Sequence, residues 1–315
     1  MGQNHLRVYD MLKGVTVAAV VDPDLARAEQ MAARYGCPAY RSSERLIGQV
    51  DAASVCVPSA LHAEVGCFLM NHGVPCLIEK PLATTEAECQ ALIGAADRAG
   101  VTLMVGHVER FNPAVQKLTE LLDGGRRVHA IDARRMSWAS RRISDVDVVL
   151  DLMIHDLDIV LSLMGKPVTA VAASGVHTSG SHGQDYVTAL LSFDDGVMAS
   201  LTASRITQTK VRALDLTTDI GYITVNYFNQ EILIFRQGVE DRDPGHWSNV
   251  GPAILESIME RVEIRNAEPL VRELQHFVDA VRTGTPPLVT GRHALETLRI
   301  AKLIQADIAH RSSSV

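Results

Sequence analysis

Met1-Gly2-Gln3-Asn4-His5-Leu6-Arg7 opens the chain, and Val15-Thr16-Val17-Ala18-Ala19-Val20-Val21-Asp22 follows a few residues later. Together they read as the later part of a dinucleotide-binding βαβ unit. Such a unit has a buried strand, a G-x-G-x-x-G turn, a helix, and a second buried strand ending in an acid. Gly2 stands where the third glycine falls, and the helix after it places Leu6, Tyr9 and Leu12 along one face. Residues 15–21 are the second strand. The first strand and the first two glycines are not in the sequence. That strand is the centre of such a sheet, so its absence predicts costly exposed strand edges. An upstream start of the reading frame is the expectation; a damaged copy of an enzyme is the alternative.

The next hundred residues alternate strand-like and helix-like segments, the grammar of a parallel sheet covered on both faces. Strands are expected at 15–21, 52–57, 74–78 and 102–105, with helices at 25–35, 61–72 and 84–99. Thr84, followed by Glu88, gives the third helix a capping-box start. A further helix at 111–122 is closed by Gly124-Gly125. Beyond it the pattern becomes strand-like at 128–138, 168–176, 186–193, 197–204, 211–217, 222–226 and 232–235. Asp194-Asp195-Gly196 is a hairpin turn signal, and one helix interrupts at 156–163. Closing helices are expected at 270–282 and 294–309, before a disordered Ser312-Ser313-Ser314 tail. The fold class is therefore an α/β Rossmann domain lacking its first strand, then an α+β domain with an open-faced, mainly antiparallel sheet of about six strands. The expected boundaries are 1–107 for dinucleotide binding, 108–290 for substrate binding and oligomerisation, and 291–315 for the closing helix and tail.

At 315 residues, 47% hydrophobic and 21% charged, the chain is long enough for two packed cores. A net charge of −7 argues against a nucleic-acid or membrane-surface partner. No apolar run approaches the roughly twenty residues of a membrane span, and no secretory signal opens the chain. Cys37, Cys56, Cys67, Cys76 and Cys89 are odd in number with no C-x-x-C pair. They read as small buried residues in a reducing cytoplasm, with no metal site expected.

Four places could carry chemistry. Asp22 ends the second strand, where a carboxylate accepts from the adenosine ribose of NAD and repels the 2′-phosphate of NADP; it equally suits a helix cap. Ser59, in Val57-Pro58-Ser59-Ala60-Leu61-His62, can donate to a phosphate or ribose oxygen or cap the next helix, and His62 is a ligand contact or an ordinary helix-start histidine. Glu79-Lys80-Pro81 ends another strand: Lys80 can polarise a substrate oxygen there, Pro81 suits a cis bond, and the plain alternative is a surface Glu–Lys pair. On a helix, Asp151, His155 and Asp158 would share one stripe, and a histidine beside a carboxylate is the usual general base near neutral pH. Asp156 and Asp158 suit a structural role near a helix N-terminus.

Taken together, Glu79-Lys80-Pro81, Val105-Gly106-His107-Val108-Glu109-Arg110-Phe111-Asn112-Pro113 and Asp151-x-x-x-His155 resemble the Gfo/Idh/MocA family of NAD(P)-dependent sugar oxidoreductases. They stand in family order, and the similarity spans nearly the whole chain. The resemblance implies catalytic duty for Lys80, Asp151 and His155; the candidate cofactor contacts are Gly2, Asp22, Ser59, His62, Glu79 and Lys80. NAD is expected ahead of NADP, with a sugar or nucleotide-sugar substrate and a homodimer or homotetramer. His155 would take the hydroxyl proton, Asp151 would orient it or bind substrate, and Lys80 would stabilise the alkoxide. The wording around Gly106 to Pro113 and Met153 to Asp158 is similar to members that oxidise the 3-hydroxyl of UDP-N-acetylglucosamine. Arg110, Asn112, Arg134 and Trp138 are the candidate substrate contacts. Arg134, Arg135, Arg141 and Arg142 could grip a diphosphate or form a solvated basic edge. The competing readings are a non-catalytic sensor or scaffold of the same fold, and bilin or imine reduction, which needs no His155 base.

Overall fold

The computed structural model describes residues 1–138, 147–178, 183–237 and 257–312. Arg141, Arg142 and the last two serines of the tail therefore lie outside the described residues. The chain divides into two compact units, Met1–Phe111 with Ala267–Leu303, and Asn112–Asn266 with Ile304–Val315. The expected second boundary at 290 differs from this: residues 267–303 cluster with the first unit.

The first unit begins with helix α1 (Gly2–Met11), followed by β1 (Val20–Val21), α2 (Leu25–Tyr35) and β2 (Ala39–Tyr40). Then come β3 (Ala53–Val55), α3 (His62–Asn71), β4 (Cys76–Glu79), α4 (Glu86–Ala99) and β5 (Leu103–Gly106). The parallel sheet is in two pieces, β1–β2 and β3–β4–β5. Residues 15–19, expected as strand, have no ladder: only Val20 and Val21 pair, with Ala39 and Tyr40. A strand needs a neighbour for its backbone groups, and β1 has one on a single side. The apolar face of α1 also differs from expectation. Its buried residues are His5 and Val8, with Leu12 at the cap, while Leu6 and Tyr9 are half-buried.

Local signals elsewhere hold to within a residue or two. Asp24 accepts from Arg27 N and starts α2, and Gly36, at φ 64°, ends it in the left-handed region. The capping box of α4 is built on Thr85, one residue later than expected, with Glu88 reaching back to the Thr85 backbone. Gly66 lets α3 lie against the sheet, since a Cβ there would come within 2.6 Å of Ile78 and Leu92.

The second unit opens with α5 (Pro113–Leu122), capped by Asn112, whose Oδ1 accepts from Ala114 N at 3.0 Å. There follow β6 (Val128–Trp138), α6 (Ile154–Met164), β7 (Val168–Val176), β8 (Tyr186–Phe193) and β9 (Met198–Ser204). The last strands are β10 (Ile206–Thr218), β11 (Gly221–Asn226), β12 (Glu231–Gln237) and β13 (Ser257–Arg261). They form one sheet of eight strands, two more than expected, in the order β13-β12-β11-β10-β6-β9-β8-β7. Every pairing is antiparallel except β6 with β9. Alternation along β8 buries Val187, Ala189 and Leu191 and leaves Thr188 and Leu190 outward. Met198 and Tyr222 are also exposed, so the sheet has one packed face and one open, partly apolar face. Two helices end the chain: α7 (Pro269–Thr283) and α8 (Gly291–Ser312). Among the described residues no helix is long and apolar enough to cross a membrane.

Candidate active site

In the first unit, β3 and β4 run side by side in parallel, Val55 beside Ile78, so their carboxyl ends emerge together. This is where open parallel sheets place ligands. Cys56 follows β3, Glu79 ends β4, and Lys80-Pro81 follows with the expected cis peptide. Glu79 is buried rather than half of a surface pair. Its Oε1 lies 2.9 Å from His5 Nε2, and its Oε2 accepts from Lys80 N at 3.2 Å. The carboxylate thus ties α1 to the backbone that presents Lys80. Gly106 lies against it, since a Cβ there would come 3.2 Å from the Glu79 Cα.

His62 is buried, with Nδ1 2.9 Å from Pro81 O and Nε2 3.0 Å from Val57 O. A neutral imidazole donates to one of these carbonyls and an imidazolium to both. Either way the ring joins the loop after β3 to the loop after β4. Ser59 sits in a 3-10 turn (Ser59–Leu61) and makes no cap hydrogen bond. Asp22 is not the helix cap, which is Asp24. Its Oδ1 accepts from Asp24 N at 2.9 Å, and its Oδ2 stands 3.6 Å from Arg27. Arg110 occupies a half-buried position in the 3-10 turn Val108–Phe111.

The residues present fit a nicotinamide dinucleotide on two counts. Helix α1 starts at Gly2 with no side-chain cap and no acid in its first turn, leaving its positive end free for a phosphate. The half-buried Asp22 carboxylate keeps acceptor capacity for ribose hydroxyls.

In the second unit the expected single helix through Asp151 and Asp158 is a composite. Val149–Met153 is a π-helical turn and α6 begins at Ile154, so Asp151 and His155 lie on different helical windings. Their simple i, i+4 stripe is thereby altered, and π turns recur at functional sites because they re-aim side chains. Asp147 anchors the turn: its Oδ1 accepts from Leu150 N and its Oδ2 from Gln305 Nε2. Asp151 and His155 are half-buried, whereas Asp156 and Asp158 are buried.

The arginines are committed to carboxylates. Arg135, buried on the inner face of β6, grips Asp156 through Nε at 2.8 Å and Nη2 at 3.0 Å. Arg134, on the opposite face, pairs with Asp132 at 2.9 Å and with Asp215. Arg134 and Arg135 thus each have carboxylate partners, and Arg141 and Arg142 lie outside the described residues. Trp138, 64% exposed, ends β6. Asn112 is buried, its amide donating to Tyr227 O at 3.0 Å while its oxygen caps α5.

Glu273, which sequence reasoning passed over, is fully buried on α7 beside Leu274, and neither carboxylate oxygen has a hydrogen-bond partner. Burial first, then the charge of Glu79, pushes its carboxyl well above the ordinary carboxylate range. The signal was present: an acid at a core position of the stripe Leu270, Glu273, Leu274, Phe277.

A unit with a parallel sheet is thus followed by a unit with a one-sided, mainly antiparallel sheet. The pattern of the oxidoreductase family with NAD-binding Rossmann fold matches residues 1–107, and that of the GFO/IDH/MocA C-terminal domain matches 121–223. UDP-N-acetylglucosamine 3-dehydrogenase from Acidithiobacillus ferrooxidans is 32% identical over 94% of this chain and 91% of its own length. Its solved structure superimposes with a TM-score of 0.87 at 30% identity, covering 98% of this chain and 94% of that one. D-apiose dehydrogenase from Paraburkholderia graminis is 26% identical over 95% of this chain and 83% of its own. The chain belongs to the Gfo/Idh/MocA family of oxidoreductases, whose named members here are sugar and inositol dehydrogenases acting on CH–OH groups.

Proposed function

We propose that the chain is an NAD-dependent nucleotide-sugar dehydrogenase acting on the 3-hydroxyl of UDP-N-acetylglucosamine. The observation that carries this is the 32% identity to the Acidithiobacillus enzyme, which runs through both units. Bound NAD supplies the hydride acceptor. Asp22 would hold its adenosine ribose, and the amino-terminal end of α1 its pyrophosphate. His155 accepts the hydroxyl proton as the alcohol becomes a ketone, Asp151 orients the imidazole, and Lys80 stabilises the developing alkoxide. The Glu79 carboxylate supports this by fixing the Lys80 backbone. The open face of the eight-stranded sheet, with Leu190, Met198 and Tyr222 exposed, would join subunits into a homodimer or homotetramer.

The test is NADH formation with UDP-N-acetylglucosamine. Lys80→Ala and His155→Ala should each lower kcat by about two to four orders of magnitude. Full activity in both variants would overturn the mechanism. Binding of the nucleotide sugar with no turnover on NAD or NADP would favour the non-catalytic sensor instead.

A further inference from the structure

His5 on α1, Cys56 after β3 and Glu79 at the end of β4 come from three separate segments, and the fold gathers them together, His5 and Glu79 buried and Cys56 half-buried. One donor atom each from His5, Cys56 and Glu79 lies within 4.8 Å of the others. Ligand atoms around a tetrahedral zinc-type ion, bonded at about 2.0–2.3 Å, stand roughly 3.3–3.8 Å apart, so modest side-chain movement suffices. We propose that His5 Nε2, Cys56 Sγ and a Glu79 oxygen bind a single divalent transition-metal ion of the zinc class.

Two features support this. The first is donor chemistry: imidazole nitrogen, sulfur and carboxylate together suit zinc-type ions and not magnesium or calcium. The second is orientation of the imidazole. His5 Nδ1 lies 3.2 Å from Ser54 Oγ, which lies 2.7 Å from Tyr9 Oη. An outer hydrogen bond of this kind fixes which nitrogen faces a metal.

The experiment uses the full chain, stripped with EDTA and titrated with Co2+ as the spectroscopic probe. One Co2+ per chain is expected, with tetrahedral visible bands and a thiolate-to-cobalt charge-transfer band in the near ultraviolet, both displaced by equimolar Zn2+. Cys56→Ser should lose the charge-transfer band, while Cys67→Ala keeps it. Far-ultraviolet circular dichroism checks the fold of each variant. Zn2+ should also raise the Tm of the wild-type chain but not of His5→Gln. Absence of the charge-transfer band from the wild-type spectrum, or its survival in folded Cys56→Ser, would overturn the site. None of these readouts requires turnover.

Discussion

In the second unit the buried arginines close on carboxylates: Arg135 on Asp156, and Arg205 on Asp185 at 2.6 Å. In the first unit the buried cluster is acid-heavy. Glu79 has His5, but Glu273 has no hydrogen-bonded partner. The sheets differ in the same direction. The second unit has eight strands in one continuous ladder, whereas the first has two pieces with open edges at β1 and β3. The buried arginine charges of the second unit are thus paired, whereas the first unit holds a buried carboxyl, Glu273, with no hydrogen bond.

The comparison breaks most visibly at the compensated pair. Asp156→Ala removes the carboxylate that pairs with the buried Arg135 guanidinium and should cost about 3–5 kcal/mol, read as a lower urea midpoint. A loss under 1 kcal/mol would mean that the pair is as dispensable as a surface bridge. Next comes the uncompensated acid. Because the folded-state pKa of Glu273 is raised, the folded protein holds a proton that the unfolded chain releases above its ordinary value of 4.5. Stability is then full below that value and falls as pH rises above it, by at most about 1.4 kcal/mol per pH unit. Urea midpoints at pH 5 and pH 7, with EDTA present, should differ in the wild type by more than in Glu273→Gln. Equal slopes would remove Glu273 as the source. The smallest effect tests whether the first unit is also regular where it carries no ligand chemistry. Thr85→Ala removes the capping box of α4 and should cost about 1 kcal/mol. No loss would place the start of that helix under tertiary control.

Legibility followed the physics of each element. The strands Val128–Trp138, Val168–Val176 and Tyr186–Phe193 match their expected ends, because one buried face writes a period of two into the sequence. Residues 15–19 looked like a buried strand and have no ladder, because apolar composition cannot supply a neighbour's backbone groups. Val149–Met153 reads locally as ordinary helix, and its π winding is not written in apolar spacing. Arg134 and Arg135 were visible as charges, but their partners Asp215 and Asp156 are distant in the chain.

By itself the sequence determined the order of the elements, the change from parallel to antiparallel grammar, and the residues that could do chemistry. These follow from local periodicity, turn residues and motif spacing, each complete within a few residues. Only the tertiary structure decided which polar groups are paired: His62 on two carbonyls, Arg135 on Asp156, and His5 beside Glu79 with Cys56. A hydrogen bond or a metal site depends on distances of a few ångströms between residues up to 74 positions apart in the case of His5 and Glu79, and no local pattern encodes that proximity.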